Sequence, residues 1–345
     1  MKLRQFRFSK HPLQFITPAT TSRDTLITKP TWFIHATFRD GKEGVGEVSI
    51  IDGLSVESSA DIDTLLTLWV KNPESALDFD KDQFPSVAFA LEMCMLDQGN
   101  HVVFSNDFTL GNMSIPINGL VWMADVPSMI QSAKEKVEQG FDCIKLKIGA
   151  KDWKEEIEMI RILRSHHDSK SLMIRVDANG SFAPEEAMRK LDQLARLEVH
   201  SIEQPVHQRF ITASYDLCKD TPIPIALDEQ LIGVKKSRRE SILEQIQPQY
   251  IILKPSLIGG LSAADHWIQL AEERGIGWWS TSALESNIGL NAIAQWIAEK
   301  PGIAEAYQGL GTGKLYSNNI QAPLEVKNGH LHYTKGKWGS IPWEN

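Results

Sequence analysis

The sequence predicts a (β/α) barrel of the TIM type, preceded by a smaller α+β domain. Two observations predict it. Five charged residues of the 345-residue chain, Lys147, Asp177, Glu203, Asp228 and Lys254, stand at successive distances of 30, 26, 25 and 26 residues. One strand, one helix and two loops take about that length, and repeating such units builds a closed barrel of parallel strands. Each of the five also ends an apolar run, at residues 143–144, 172–174, 201–202, 225–227 and 251–253. Side chains at the ends of barrel strands share one mouth, so all five are expected there.

Taken in order, residues 1–110 read as the α+β domain. Residues 31–38 and 44–49 alternate like strands around Arg39-Asp40-Gly41-Lys42, and Asp-Gly between such runs is a strong hairpin signal. Helical patterns follow at about 62–70 and 84–98. The barrel is expected over residues 111–315. Its strands are predicted at 115–120, 143–148, 172–176, 201–203, 225–228, 250–254 and 277–281, with an eighth near Ala306-Tyr307. Helices fit between them at 124–139, 153–164, 184–197, 261–273 and 288–299. Gly140 ends the first of these as a C-cap, and Pro184 sits in the first turn of the third. Residues 316–345 contain strand-like pieces and are expected to return to the first domain. A doubly wound open sheet fits less well, because no glycine-rich phosphate loop follows a strand.

Composition narrows the function. A net charge of −8 argues against nucleic acid or an anionic membrane as partner. Cys94, Cys143 and Cys218 are scattered and odd in number, which argues against a disulfide framework or a zinc site. The first residues alternate like a strand and lack the apolar core of a signal peptide, and no apolar stretch approaches membrane-spanning length. A cytoplasmic location is the expectation, with a small-molecule carboxylate as substrate; the oligomeric state stays open. His166-His167 and the basic residues Lys235, Lys236, Arg238 and Arg239 read as solvated helix positions. Trp278-Trp279 is expected to split between the barrel interior and the helix layer.

The spaced residues carry the chemistry. Asp177, Glu203 and Asp228 offer three hard oxygen ligands with no histidine or cysteine, which favours Mg²⁺, or Mn²⁺, over zinc. In Lys145-Leu146-Lys147 the strand period of two puts both ammonium groups on one face. Like charges lower each other's pKa. A lysine at its ordinary pKa is only about 0.1% neutral at about pH 7.5. Lowered to about 7 or 8, Lys147 becomes a credible base. Lys254, four units further round, is expected to face it across the substrate. The set suggests abstraction of a proton α to a carboxylate, with a divalent cation stabilising the resulting ene-diolate.

Lys145-Leu146-Lys147, Asp177, Glu203, Asp228 and Lys254 together resemble the muconate-lactonising branch of the enolase superfamily, a likeness that extends to Gly44-Val45-Gly46-Glu47 in the N-terminal domain. The resemblance implies an α+β capping domain on a modified (β/α)7β barrel. Finer segments, Arg175-Val176-Asp177-Ala178-Asn179, Thr281-Ser282-Ala283-Leu284-Glu285-Ser286, Gly309-Leu310-Gly311-Thr312-Gly313 and Thr20-Thr21-Ser22-Arg23, resemble the o-succinylbenzoate synthases of menaquinone biosynthesis. The last segment falls where that family has a mobile loop over its active site. By this resemblance Lys147 removes the α proton and protonates the departing hydroxyl, Lys254 stays cationic, and Lys145 positions the carboxylate and tunes Lys147. Asn179, Glu229 and Arg175 would stand beside the metal ligands. The substrate pocket is expected among Ser256, Gly259, Gly260, Ser280, Ser282 and the loop bearing Arg23.

Two other functions compete. An N-acylamino acid racemase or dipeptide epimerase would use the same lysine pair on the same fold. Dipeptide epimerases usually carry an Asp-x-Asp pair near the last strands, where this chain has Ser282-Ala283-Leu284-Glu285-Ser286. A non-catalytic barrel that binds a carboxylate is the third reading, disfavoured by five intact chemical positions.

Overall fold

The computed structural model describes residues 2–20 and 25–343. Five strands open the chain: β1 (Leu3–Lys10), β2 (Leu13–Thr20), β3 (Thr25–Lys29), β4 (Thr31–Phe38) and β5 (Glu43–Ser49). Strands β1, β4 and β5 form an antiparallel sheet in that order, and β2 pairs with β3 as a separate hairpin. Helices α1 (Ser59–Lys71) and α2 (Pro85–Leu96) complete the cap. The Ser58–Asp61 capping box starts α1. The Gly44-Val45-Gly46 segment has a packing reason. A Cβ at Gly44 or Gly46 would collide with the carbonyl of Cys94 or Ala90 on α2, so the helix backbone lies directly on the strand.

Next come β6 (Ser114–Pro116), β7 (Gly119–Val121), α3 (Val126–Glu138), β8 (Cys143–Lys147), α4 (Trp153–His166), β9 (Met173–Asp177) and α5 (Pro184–Ala195). The alternation continues through β10 (Ser201–Glu203), α6 (Ile211–Asp220), β11 (Ile225–Leu227), α7 (Arg239–Ile246), β12 (Tyr250–Leu253), the single turn α8 (Pro255–Ile258), α9 (Leu261–Glu272), β13 (Gly277–Ser280) and α10 (Asn287–Ala298). Strands β7 to β13 make one parallel sheet in chain order. Gln308 and Gly309 close it: isolated parallel bridges join them to Ile117 and Thr281 at its two edges. The eighth strand is thus reduced to two residues, one step beyond the predicted Ala306-Tyr307. The fold is an antiparallel cap on a curled seven-stranded parallel sheet. Apolar side chains of the strands and helices merge into one core that runs from Ile144, Leu146 and Ile174 to Trp267 and Ile293.

Two expectations need correction. Residues 115–120 are not one strand. Ser114–Pro116 pairs with the terminal hairpin of β14 (Leu324–Lys327) and β15 (His330–Tyr333), and only Gly119–Val121 enters the barrel sheet. The tail meets the cap on both sides of this pairing: Tyr316 bridges Phe15 of β2 and Asn318 bonds to the Gln14 amide and the Pro12 carbonyl, and Trp343 meets the His35 ring and the Arg7 guanidinium. Arg239 is not solvated. It is buried, donates to the carbonyls of Ala263 and Ile258, and lies over the Trp267 ring. Trp279 points into the barrel with Ala226 and Ile252, while half-buried Trp278 packs on the helix side, as the split reading has it.

Two cap carboxylates sit on the N-termini of barrel helices, where unpaired N–H groups and the helix dipole favour an anion. Glu92 of α2 accepts from the Leu261 and Ser262 amides of α9, the first at 2.5 Å, and from the Ser262 hydroxyl. Gly260, at φ +100°, leaves room for that carboxylate, which a Cβ would strike. Glu47 of β5 accepts from the Ser286 amide at 2.7 Å and the Gly289 amide at 2.8 Å at the start of α10. No helix among the described residues is long and apolar enough to cross a membrane. Replacing a helix cap typically costs about 1 kcal/mol. Glu92→Ala is therefore expected to lower the urea unfolding free energy by about 1–2 kcal/mol; an unchanged midpoint would contradict the clamp.

Candidate active site

Strand register builds the site. Lys147 pairs with Asp177, and Asp177 with Glu203, so these three stand in one row at the C-terminal ends of β8, β9 and β10. Asp228 follows β11 directly, and Lys254 follows β12. The loops after the strands are held firmly. Glu156 of α4 accepts from the amides of Gly149, Ala150 and Lys151, just beyond Lys147. The Gln204 side-chain oxygen takes the amides of Asp228 and Gln230 at 3.2 Å.

Asp177, Glu203 and Asp228 form a buried group with ligand oxygens within 4.8 Å of one another. Glu203 Oε1 and Asp228 Oδ1 are buried without a hydrogen-bond partner. Two orphaned carboxylate oxygens beside a third carboxylate fit a hard divalent cation with oxygen ligands. The opposite oxygens face lysines. Lys145 Nζ lies 2.8 Å from Asp177 Oδ2 and also contacts Glu203 Oε2. Lys147 donates to Asp177 Oδ2 at 2.6 Å and to Asn179 Oδ1 at 2.9 Å. Lys254 donates to Asp228 Oδ2 at 2.5 Å. Asn179 also donates to Glu229 Oε1 at 2.9 Å, which links Lys147 to the residue after Asp228.

The three lysines differ electrostatically. Burial lowers the Lys147 pKa, and the ammoniums of Lys145 and Lys254 lower it further; Asp177 opposes them without winning. Burial acts on Lys254 in the same sense, but Asp228 and Glu229 outweigh it and its pKa is raised. Lys145 is also raised, because Asp177, Glu203 and Asp228 together overcome its burial. Glu203 rises to about 7, chiefly through burial, with Asp177 and Asp228 adding to it against Lys145. Asp177 falls well below the carboxylate range: Lys145 and Lys147 prevail over its burial. One lysine of the mouth is therefore lowered and two are raised.

Above this row lies a cavity of about 300 Å³, lined by Lys145, Lys147, Lys254 and Asn179 and roofed by Leu26, Ile51, Asp52, Gly53 and Leu54 of the cap. Of the expected pocket residues, Ser282 lines it. Ser256 and Ser280 do not: both are fully buried, with hydroxyls committed to Glu285 and the Leu253 carbonyl. Gly259 and Gly260 form the turn between α8 and α9, and Gly260 faces Glu92 rather than the cavity. Arg175 is also displaced. It is paired with Lys145, one layer below the carboxylate row, and donates to the Tyr307 carbonyl while stacking 4.0 Å from the Trp279 ring centroid. Arg23, with Thr21 and Ser22, lies outside the described residues. Sequence reading missed Asn118, Trp122, Asp52 and Thr312 of the lining. Thr312 had a usable signal, since it belongs to the Gly309–Gly313 segment after the predicted eighth strand; Asn118, inside the predicted strand 115–120, and Asp52 and Trp122 had none without the placement of β7 and the cap.

Residues 128–339 match the enolase C-terminal domain-like family. The chain is 41% identical to the o-succinylbenzoate synthase of Desulfotalea psychrophila, across 95% of this chain and 98% of the relative. It is 29% identical to the L-Ala-D/L-Glu epimerase of Bacillus subtilis over 62% of this chain and 56% of that one. The crystal structure of MenC from Desulfotalea psychrophila superposes with a TM-score of 0.83 at 39% identity, covering 96% of this chain and all of that one. The Bacillus subtilis epimerase superposes with a TM-score of 0.82 at 21% identity over 98% of each chain, a likeness of fold. The chain thus belongs to the enolase superfamily and, within it, to the o-succinylbenzoate synthase family.

Proposed function

We propose that this protein dehydrates 2-succinyl-6-hydroxy-2,4-cyclohexadiene-1-carboxylate to 2-succinylbenzoate, in the cytoplasm, as a step of menaquinone biosynthesis. The supporting observation is the unequal lysine pair: Lys147 is lowered and Lys254 raised, and both line one cavity above a buried carboxylate triad. Asp177, Glu203 and Asp228 would hold Mg²⁺, or Mn²⁺. When bound there, the cation supplies Lewis-acid stabilisation of charge developing on the substrate carboxylate.

The protein's own residues do the rest. The neutral Lys147 amine takes the proton from the ring carbon that bears the carboxylate. The bond from the neighbouring ring carbon to its hydroxyl then breaks, and Lys147 returns the same proton to that oxygen, which leaves as water. Proton and hydroxyl depart from one face, so one base serves both steps. Lys254 remains an ammonium beside the ene-diolate, and Lys145 does the same nearer the carboxylates. Aromatisation of the ring drives the elimination, so this modest machinery suffices. Leu26, Ile51 and Leu54 limit water at the site.

The same two lysines would also serve an N-acylamino acid racemase or dipeptide epimerase. Racemisation needs each lysine to act in turn as acid and base. The opposed pKa shifts favour one base and one lasting cation, and the segment of Ser282 to Ser286 supplies no Asp-x-Asp pair for a peptide amine. Ultraviolet absorbance separates the readings: the Mg²⁺-loaded protein is expected to form the aromatic product from the cyclohexadiene. Turnover of N-succinylamino acids or dipeptides in its place would move the assignment to racemisation.

General-base removal costs about 10²–10⁴-fold in rate. Lys147→Ala is expected to lose at least that factor in kcat while retaining Mg²⁺ affinity by calorimetry; activity within tenfold of the parent would remove Lys147 as the base. Asp177→Asn, Glu203→Gln and Asp228→Asn are each expected to weaken Mg²⁺ binding, and unchanged affinity in all three would contradict the metal site. The pH profile has a defined sign. Only the deprotonated Lys147 is competent, so kcat/KM rises with pH through its lowered pKa and reaches a plateau below 10.5, the ordinary lysine value. Lys254 loses its charge only above 10.5, where the rate falls again. A rate that falls as pH rises through neutrality would contradict this order.

A further inference from the structure

The cavity reaches below the lysines, towards the N-terminal ends of the strands, and there it holds a polar group that the chemistry above does not use. Asn118 precedes β7, and Leu120 of β7 pairs with Lys145 of β8. Side chains two residues apart on a strand share a face, and Asn118, Leu120 and Trp122 line the cavity in turn. Asn118 stands one such step below Leu120 and Lys145, about 7 Å along the strand. It is 4% exposed, and its backbone N–H donates to the Gln308 carbonyl at 2.9 Å. Its side-chain amide has no hydrogen-bond partner among the described residues.

The neighbouring Gln308 is satisfied where Asn118 is not. Its fully buried side chain accepts from the Ser280 amide at 2.7 Å and donates to the Ala306 carbonyl at 2.9 Å. A buried amide left unpaired costs free energy that a ligand or water can recover. Gly309 and Gly311 also line the cavity, for different reasons. A Cβ at Gly309 would strike the Thr281 side chain, so packing demands glycine there. A Cβ at Gly311 would meet Ile117 Cδ1 at 3.5 Å and the Asn118 backbone carbonyl at 3.7 Å, both ordinary contacts, and its backbone is not left-handed. Neither packing nor backbone conformation calls for glycine at 311. Its missing side chain leaves the cavity open beside Asn118.

We propose that Asn118 is a specificity-determining residue: its side-chain N–H donates to the ketone oxygen of the substrate's succinyl chain, in the space that Gly311 leaves open. The proposal rests on reading the substrate as the succinyl-bearing cyclohexadiene. On that reading the ring carboxylate is met by the lysines and the bound cation, and the ring hydroxyl by Lys147. The polar atoms left over belong to the succinyl chain. All of them are acceptors at neutral pH, which suits an amide N–H donor. Charge decides between the ketone and the terminal carboxylate. Asn118, Leu120, Gly309 and Gly311 carry no charge, and burying an ion against a neutral amide alone is costly. A neutral ketone pairs with that amide without such a cost.

Calorimetry on the Mg²⁺-loaded protein with three ligands tests this. They are 2-succinylbenzoate, 2-butanoylbenzoate, which lacks the terminal carboxylate, and 2-(3-carboxypropyl)benzoate, which lacks the ketone. Asn118→Leu is expected to weaken the first two about tenfold and to leave the third within about twofold of the parent. A loss that follows the terminal carboxylate, an equal loss with all three, or no loss would overturn the assignment. Should Asn118→Leu fail to fold, Asn118→Ala carries the same comparison with the same outcomes. Gly311→Ala is expected to keep the urea midpoint of the parent and to weaken 2-succinylbenzoate about fivefold or more, because its methyl group takes up the open space; unchanged affinity would overturn the role given to that space. A parent that binds the ligands yet leaves the cyclohexadiene unconverted would overturn the dehydratase reading alone. A parent that binds none of the three would overturn both.

Discussion

The barrel mouth depends on holding Asp177, Glu203 and Asp228 close together out of water. Removing an ion from water costs several kcal/mol even after relaxation. Oxygens within 4.8 Å of one another add mutual repulsion to that cost, and burial with Asp177 and Asp228 pushes Glu203 up to about 7. Opposite charge at matched positions is the remedy, and strand register supplies it. The pairing of β8 with β9 and of β9 with β10 sets Lys147, Asp177 and Glu203 side by side. A slip of one residue would turn these side chains out towards the helices. The continuous apolar outer faces of the strands, Ile144, Leu146, Ile174 and Val176, oppose such a slip.

The same charges divide the lysines. Carboxylates raise Lys145 and Lys254 against their burial, whereas burial lowers Lys147 and the ammoniums of Lys145 and Lys254 add to that lowering. Lys147 is thus set apart by its surroundings rather than by its own chemistry. The cap sharpens this by placing apolar residues over the mouth. Its own acidic groups, Glu47 and Glu92, reach the first turns of α10 and α9, so cap and barrel are tied by charge as well as by packing.

Much of this was legible in the sequence, and the limits have physical causes. The parallel strands after residue 140 were readable because each apolar run ends in a charge at a regular interval, and a strand needs only local pattern to be seen. Asn179 was readable for the same reason, two residues beyond Asp177. Arg175 was misplaced because its direction depends on the layer below, where Trp279 and Tyr307 receive it. Ser256, Gly259, Gly260 and Ser280 have the composition of a binding loop, yet their roles are to hold a buried carboxylate, a turn and a strand end. Asp52 gains meaning only once the cap is docked, and nothing in its local sequence marks it. The eighth strand was blurred because two bridging residues leave almost no periodicity.

The proposed chemistry needs one lysine of the mouth as a neutral base and the lysine facing it as a lasting cation. Nuclear magnetic resonance titration of ¹³Cε- and ¹⁵Nζ-labelled lysine in the Mg²⁺-loaded protein, assigned with single lysine variants, reads both groups directly. The account predicts that Lys147 titrates below 10.5 and that Lys254 stays protonated above it. The reverse order, or two lysines titrating together, would contradict it.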